Sequence, residues 1–252
     1  MTKKARRRER ILRALELDPS IRVSQLAEEL GVSAETVRRD LAELDRTGRI
    51  RRTYGGAVRA RTFEPALAER LKLHVAARER IARQAVEHLG DVDSLFIGGG
   101  ATTLHFARAL RATNRRLTVL TPAFSIATEL STNPLIQVMA LPGIVEPKEG
   151  LVYGAETVKS IKQFRAPLAV MGASGVDAQG VSEALLNAAQ VYSAMIEAAD
   201  ETLVLADASK FGHRALQQTT EWNRHVSLLC DTPPPASIAE AMTRSGAPII
   251  LA

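Results

Sequence analysis

Seven short apolar runs set the strongest limit on how this chain can fold. They are SLFI (94–97), LTVLT (117–121), IQVMAL (136–141), LAVMGA (168–173), TLVLAD (202–207), VSLLC (226–230) and PIILA (248–252). Stretches of helical periodicity lie between most of them, notably around residues 101–110, 124–131, 155–164, 187–199 and 236–245, and RERIARQAVEHL leads into the first. Apolar strands alternating with helices point to a sheet covered on both faces, whose helical crossovers make it mostly parallel. Residues 75–252 are therefore expected to form a mostly parallel α/β domain. Pro233–Pro235 reads as a turn after a strand, and no internal repeat or low-complexity tract interrupts the pattern.

With 252 residues the chain has room for one such domain and a small second one. A hydrophobic content of 46% supplies a sizeable core and excludes a disordered chain. No apolar run reaches the roughly 18 residues a membrane-spanning helix needs. MTKKARRRERIL is basic, but no continuous apolar segment follows it, so it does not read as a signal peptide. The single cysteine, Cys230, lies in the apolar run VSLLC, where a buried structural thiol is the natural reading. The expectation is a cytoplasmic protein with no membrane partner.

Charge separates the first quarter from the rest. Residues 1–61 carry 16 Lys and Arg against 9 Asp and Glu, a net +7, whereas the remaining 191 residues are net −2. A compact basic segment on a mildly acidic body suggests a module for a polyanion. A solvated basic tail is the other reading, but three helical patterns argue against it. Ile11, Leu12 and Leu15 form a stripe on a helix of about residues 4–17. Val23, Leu26, Ala27 and Leu30 repeat at helical spacing with Ser24 as a cap, and Gly31 suits the left-handed residue that closes the helix. Ser33 then caps a third helix, with Glu35 in its first turn.

On that third helix Ala34, Val37, Leu41 and Leu44 share a face. At about 100° per residue Arg39 lies opposite it, with Arg38 and Thr36 on the flanks. Glu35, Thr36, Arg38 and Arg39 thus face outward, as on a helix laid in a DNA major groove. The second and third helices, joined by a short glycine turn, form a helix-turn-helix. In GRIRRTYGGAV (48–58), Arg49, Arg51 and Arg52 flank a Gly55-Gly56 turn, the composition of a basic β wing along the DNA backbone. The expected interface is Ser24, Gln25, Ser33, Glu35, Thr36, Arg38, Arg39, Arg51, Arg52 and Tyr54, on double-stranded DNA. Tyr54 is the only aromatic residue in 1–61, which disfavours an RNA stacking platform. The expected boundaries are a winged helix-turn-helix domain at 1–61, a linker at 62–74 and the α/β domain at 75–252.

Ligands of open α/β sheets bind beyond the carboxyl ends of strands. FIGGGATT delivers Gly98, Gly99 and Gly100 to a helix beginning at Ala101, whose free N–H groups and dipole suit a phosphate, with Thr102 and Thr103 as hydroxyl donors. A tight turn with no ligand remains the alternative. Neither a dinucleotide fingerprint nor a P-loop lysine is present. His74, His88, His105, His213 and His225 lack metal-ligand spacing, so no metal or cofactor is expected. Glu156 and Glu183 are the acid/base candidates, although most acidic residues at such spacing are merely solvated.

VSAETVRRDLAELDRTGRIRRTYGGAV resembles the N-terminal signature of the DeoR family of bacterial transcription regulators, with its V-S-x-x-T-[IV]-R-R-D-L run and R-x-x-G-G-A wing. MGASGVDAQGV (171–181) and LADASKFGHRAL (205–216) are similar to the family's G-x-S-G-[IV] and D-x-S-K-F-G segments. The resemblance implies a repressor of carbohydrate-metabolism genes. Its C-terminal domain would resemble ribose-5-phosphate isomerase and sense a phosphorylated sugar or related metabolite. It also implies a place near the ligand for Asp207 and Lys210. A homo-oligomer, dimer or tetramer, is expected because helix-turn-helix heads commonly pair on half-sites and symmetric homo-oligomers are the default. The family's D-x-G-[ST]-T loop is matched by Gly98–Thr102 with Gly98 in place of the aspartate. Thr121-Pro122 stands for its Thr-Asn, and Tyr192 for a frequent basic residue. A sugar-phosphate isomerase or deaminase with an appended nucleic-acid module is the competing class.

Overall fold

The structure, a computed structural model, describes residues 3–17, 21, 23–46, 50–53, 56–59 and 65–252. The chain divides into two compact units between Pro65 and Ala66.

The first unit holds helices α1 (Lys3–Leu17), α2 (Val23–Leu30) and α3 (Ala34–Arg46), then antiparallel strands β1 (Ile50–Thr53) and β2 (Gly56–Arg59). Its core is Ile11, Leu12 and Leu15 of α1, Leu26 of α2, and Val37, Leu41 and Leu44 of α3, closed by Ile21 and Ile50. Gly31 ends α2 at φ +63°, a left-handed conformation that a Cβ disfavours. Its N–H donates to Glu28 O at 3.2 Å, and the Val32 N–H reaches back to Ala27 O at 3.0 Å. Ser33 caps α3, its Oγ accepting from the Thr36 N–H at 3.2 Å. Ser24 does not cap α2: that helix already begins at Val23, so Ser24 sits within its first turn.

A polar clamp fixes α3 against α1. Arg7 and Arg8 point Nε at the two oxygens of buried Asp40, at 2.5 and 3.1 Å. Burial by itself would raise the Asp40 pKa. The hydrogen bonds and charges of the two guanidinium groups outweigh it and hold the carboxyl below its ordinary value.

The second unit starts with α4 (Leu67–Arg70) and α5 (Val75–Glu87). There follow β3 (Ser94–Ile97), α6 (Ala101–Arg111), β4 (Leu117–Thr121), α7 (Phe124–Leu130) and β5 (Ile136–Ala140). A small antiparallel hairpin comes next, β6 (Ile144–Glu146) and β7 (Leu151–Tyr153), then α8 (Ala155–Ile161) and β8 (Ala166–Met171). Strands β9 (Gly175–Asp177) and β10 (Gly180–Glu183) lead to α9 (Leu186–Glu197) and β11 (Ala199–Ala206). The chain ends with β12 (Gln217–Thr220), β13 (Val226–Cys230), α10 (Ala236–Ser245) and β14 (Ile249–Leu251).

All seven apolar runs became the strands of one sheet, ordered β14-β13-β11-β8-β3-β4-β5, with every neighbouring pair parallel. The chain enters at β3, builds outward through β4 and β5, then crosses back to lay β8 on the other side of β3 and continues to β14. Helices α5, α6 and α7 pack against one another in succession, as do α8 and α9. Phe96, Phe106, Leu95 and Ile97 are fully buried at the centre. A second cluster around Val176, Val204, Trp222 and Leu228 packs near β9 and α10. The edge strand β5 departs from the pattern, since Gln137, Met139 and Ala140 are not buried. The two smaller sheets, β6–β7 and β12–β10–β9, were not foreseen.

Candidate functional site

The outward face of α3 is as the periodicity implied. Val37, Leu41 and Leu44 are buried, while the Arg39 side chain is 80% exposed and that of Arg38 58%. Glu35 lies between them, Oε1 3.3 Å from Arg39 Nε and Oε2 3.8 Å from Arg38 Nη1. Such exposed pairs contribute about 0–1 kcal/mol, so either arginine can exchange Glu35 for a phosphate or base edge at little cost. Ser33 is exposed, and Thr36 Oγ1 lies 2.9 Å from Ser33 Oγ, so both hydroxyls sit at the N-terminus of the helix. Ser24 and Gln25 are exposed on α2. Arg51 and Arg52 occupy β1, opposite Val58 and Ala57 of β2. Tyr54, Arg49 and Gly55 lie outside the described residues.

In the second unit the reversal of strand order falls between β3 and β8, and such a switch point opens a crevice beyond the strand ends. Two loops border it. One is Gly98-Gly99-Gly100, running from β3 into α6; the other is Gly172-Ala173-Ser174, leaving β8. Gly100 precedes α6 with φ 139° and ψ 169°, a region essentially reserved for glycine. Gly98 and Gly99 are buried in close quarters: a Cβ on Gly98 would lie 2.8 Å from Met171 Cε, which would have to shift, and one on Gly99 would sit tightly, 3.1 Å from the Tyr192 hydroxyl. Tyr192 donates from that hydroxyl to Gly99 O at 3.0 Å. Thr121 Oγ1 donates to Ile97 O at 2.8 Å and accepts from the Ala123 N–H at 3.2 Å. These two contacts and the apolar atoms of Ala123 and Leu151 close the β4 side of the loop, where Pro122 stands.

Of the expected cradle, Gly100 is half-buried, Ala101 and Thr102 are nearly covered, and Thr103 is fully buried with its hydroxyl donating to Gly100 O at 3.1 Å. Lys210 is half-buried in a turn after β11, two strands from β3 and so about 10 Å across the sheet. The chain just beyond it crosses tightly over Gly175: the Gly212 N–H donates to Val176 O at 2.9 Å, and Phe211 bridges Val176. Glu183, buried beside Ser174, accepts through Oε1 from Ser174 Oγ at 2.9 Å, Ala184 N–H at 2.8 Å and Leu185 N–H at 3.1 Å. Glu156 is exposed on α8.

Asp207 is 1% exposed and committed within the protein. Its Oδ2 accepts from Arg78 Nε at 3.1 Å, and its Oδ1 from the Ser209 N–H at 3.1 Å and from the Ser209 hydroxyl. Burial pushes its pKa up, but the Ser209 hydrogen bond and the Arg78 charge pull it below the usual value. His105, buried on α6, has its pKa lowered by burial and then by the charges of Arg108 and Arg78, so it is neutral near pH 7. Arg78 was missed in the sequence, because nothing local marks a partner 129 residues away. Among the described residues no cluster of His, Cys, Asp or Glu fits a metal ion, and no helix is long and apolar enough to cross a membrane.

Known proteins supply the context for these two sites. The DeoR C terminal sensor domain matches residues 73–232, and the DeoR-like helix-turn-helix domain matches residues 7–63. The glycerol-3-phosphate regulon repressor of Escherichia coli K12 is 28% identical over 243 residues, 96% of each chain. The HTH-type transcriptional repressor CsqR of the same organism is 30% identical over 91% of this chain and 88% of its own. Among solved structures, a ribose 5-phosphate isomerase A from Methanocaldococcus jannaschii reaches a TM-score of 0.39 at 19% identity, over 56% of this chain and 54% of that one. That likeness is too loose to bear on function. Full-length relatives named as repressors decide against the isomerase or deaminase class. The chain belongs to the DeoR family and is a DNA-binding transcriptional regulator, with a helix-turn-helix domain ahead of a sensor domain.

Proposed function

We propose that this chain is a cytoplasmic repressor of carbohydrate-metabolism genes, controlled by a phosphorylated sugar or polyol bound over the β3–β8 switch point. The observation that carries the reading is Gly100. A residue restricted to glycine opens the N-terminus of α6 at the place in the sheet where ligands of such folds bind. The Gly98 N–H donates to Val170 O at 2.9 Å, so the backbone from Gly99 to Thr103 would receive the phosphate, and Lys210, from the far wall, would supply a cation. Asp207 would position the turn that carries Lys210. A relative named for the glycerol-3-phosphate regulon supports a small phosphorylated effector.

At the other end, Arg38 and Arg39 would read base edges, with Ser24, Gln25, Ser33, Glu35 and Thr36 around them. Arg51, Arg52 and Tyr54 would follow the phosphates of double-stranded operator DNA. The working boundaries are a DNA-binding domain at 1–61, a linker at 62–74 and a sensor at 75–252. One reading head covers few base pairs, so a homodimer or homotetramer would pair heads on half-sites.

The test uses the full chain. Glycerol 3-phosphate, glucose 6-phosphate and ribose 5-phosphate are compared with their unphosphorylated parents for a rise in melting temperature and a change in DNA affinity. A phosphorylated compound should give both effects and its parent neither. Gly100→Val should abolish the response yet leave DNA binding intact, and Lys210→Ala should weaken effector binding about ten- to a hundredfold. A parent compound that alone both stabilises the protein and alters DNA binding would refute the phosphate reading.

A further inference from the structure

Two buried ion pairs tie one short segment to both walls of the switch-point crevice. Arg70, the last residue of α4, places Nη1 and Nη2 at 3.0 and 2.6 Å from the two oxygens of Glu149. Eight residues on, Arg78 of α5 pairs with Asp207, and its Nη1 also donates to the carbonyl of Arg70. All four charged side chains are at least nine-tenths buried.

The acidic partners are where the crevice is built. Glu149 lies in the turn between β6 and β7, two residues before Leu151, whose Cδ2 packs 3.3 Å from the Cβ position of Gly99. Asp207 opens the turn that carries Lys210. One wall therefore leads to Arg70 and the other to Arg78, and the bond from Arg78 to the Arg70 carbonyl joins the two. The helix α4 has four residues and buries Leu67; Leu71, just past its end, packs against the main core, and the chain beyond exposes Leu73 and turns through His74 at φ 53°. Pro65, where the first unit ends, is two residues ahead of it.

We infer that the Glu149–Arg70 and Arg78–Asp207 pairs form the coupling device of this regulator: they set the position of α4 according to the spacing of the two crevice walls. The inference rests on the effector site proposed above. A ligand that draws the Gly100 loop and Lys210 together moves Glu149 and Asp207 with them. Arg70 and Arg78 follow, because a buried guanidinium separated from its carboxylate is costly. The shift reaches the segment through which the chain leaves the DNA-binding unit. Arg70 and Arg78 are positioning residues and touch neither ligand nor DNA.

Two measurements on the full chain test this. In the first, without ligand, amide hydrogen exchange is followed in Glu149→Gln and Asp207→Asn. Each should raise exchange across residues 67–78 about tenfold or more while the amides of β3 and β8 stay protected. No rise in either variant would overturn the clamp. In the second, DNA affinity is measured on a duplex selected from random sequence, with and without glycerol 3-phosphate or glucose 6-phosphate. The ratio of the two dissociation constants, if tenfold in the parent chain, should fall below twofold in Arg70→Met while the sugar phosphate still raises the melting temperature. The exchanged pair Arg70→Glu with Glu149→Arg should restore it. A ratio unchanged in folded Arg70→Met would overturn the inference. If neither compound shifts the melting temperature of the parent chain, the sugar-phosphate reading fails, and the clamp is decided by hydrogen exchange alone.

Discussion

Arg39→Ala separates the reading role of α3 from its structural one. In the free protein the side chain is 80% exposed and, among the described residues, bonded only to Glu35, one turn earlier on the same helix. An exposed pair of that kind contributes about 0.3–0.5 kcal/mol, and alanine is the better helix former, so stability should move by less than about 0.5 kcal/mol. Bound to DNA, the same guanidinium would make a base-edge contact worth about 1–3 kcal/mol, roughly 5- to 150-fold in affinity. The two magnitudes differ enough to be measured apart. Urea unfolding gives the first, and fluorescence anisotropy on a selected duplex, repeated on random duplex and across a salt series, gives the second. Loss confined to the selected duplex marks a base contact. Equal loss on both, with a salt slope shallower by about one, marks a phosphate contact. Unchanged affinity on both would refute the placement of this helix face on DNA.

Other outcomes follow from the same geometry. Ser33→Ala removes the acceptor of the Thr36 N–H and should lower the stability of the first unit by about 1 kcal/mol in a urea titration. Asp207 has a folded-state pKa below its ordinary 3.8, so the unfolded chain binds its proton first. Its contribution to stability is full above about pH 4 and is lost as pH falls through the folded value, so the gap in melting temperature between the parent chain and Asp207→Asn should be large at pH 7 and close in acid. Cys230 is fully buried, and burial with neighbouring Asp231 raises its thiol pKa to about 11. Iodoacetamide at pH 8 should therefore leave it unmodified until denaturant is added, as mass spectrometry would report.

The large sheet was legible because its central strands are apolar on both faces, and burial on both faces is what a central parallel strand needs. The smaller sheets were not, for β6, β7 and β9 have three residues each and β12 reads Gln-Gln-Thr-Thr. They pack against helices, β7 on α8 and α9, β10 and β12 on α9, and β9 on α10, so their pairing depends on tertiary neighbours rather than on their own pattern. On α3 the exposed arginines could be placed by angle alone, whereas the Asp40 beside them gave no sign that two arginines of α1 would cover it. The glycine loop was recognisable from its three glycines, but its closure by Tyr192 and Leu151 depends on residues 93 and about 50 positions further on. ALAERLKLHVAARERIARQA spans the end of the expected linker at 62–74 and the start of the helical run RERIARQAVEHL. Its Arg70 and Arg78 are buried, held by partners 79 and 129 residues away, a separation no local pattern encodes.

The return of the chain from β5 to β8 also governs the order in which the protein can be made. Residues 1–65, a compact unit of their own, are synthesised before β3. β3 then gains β4 quickly, but its other neighbour is not finished until Met171. At roughly 5–20 residues per second, that leaves one edge of β3 uncovered for roughly 4–15 s after Ile97 is added. Phe96 and Ile97, fully buried in the finished sheet, spend that interval beside an open ladder, a natural hold for a chaperone and a risk on crowded polysomes. Slowing translation between codons 98 and 171 should therefore lower the soluble yield more than slowing it before codon 65.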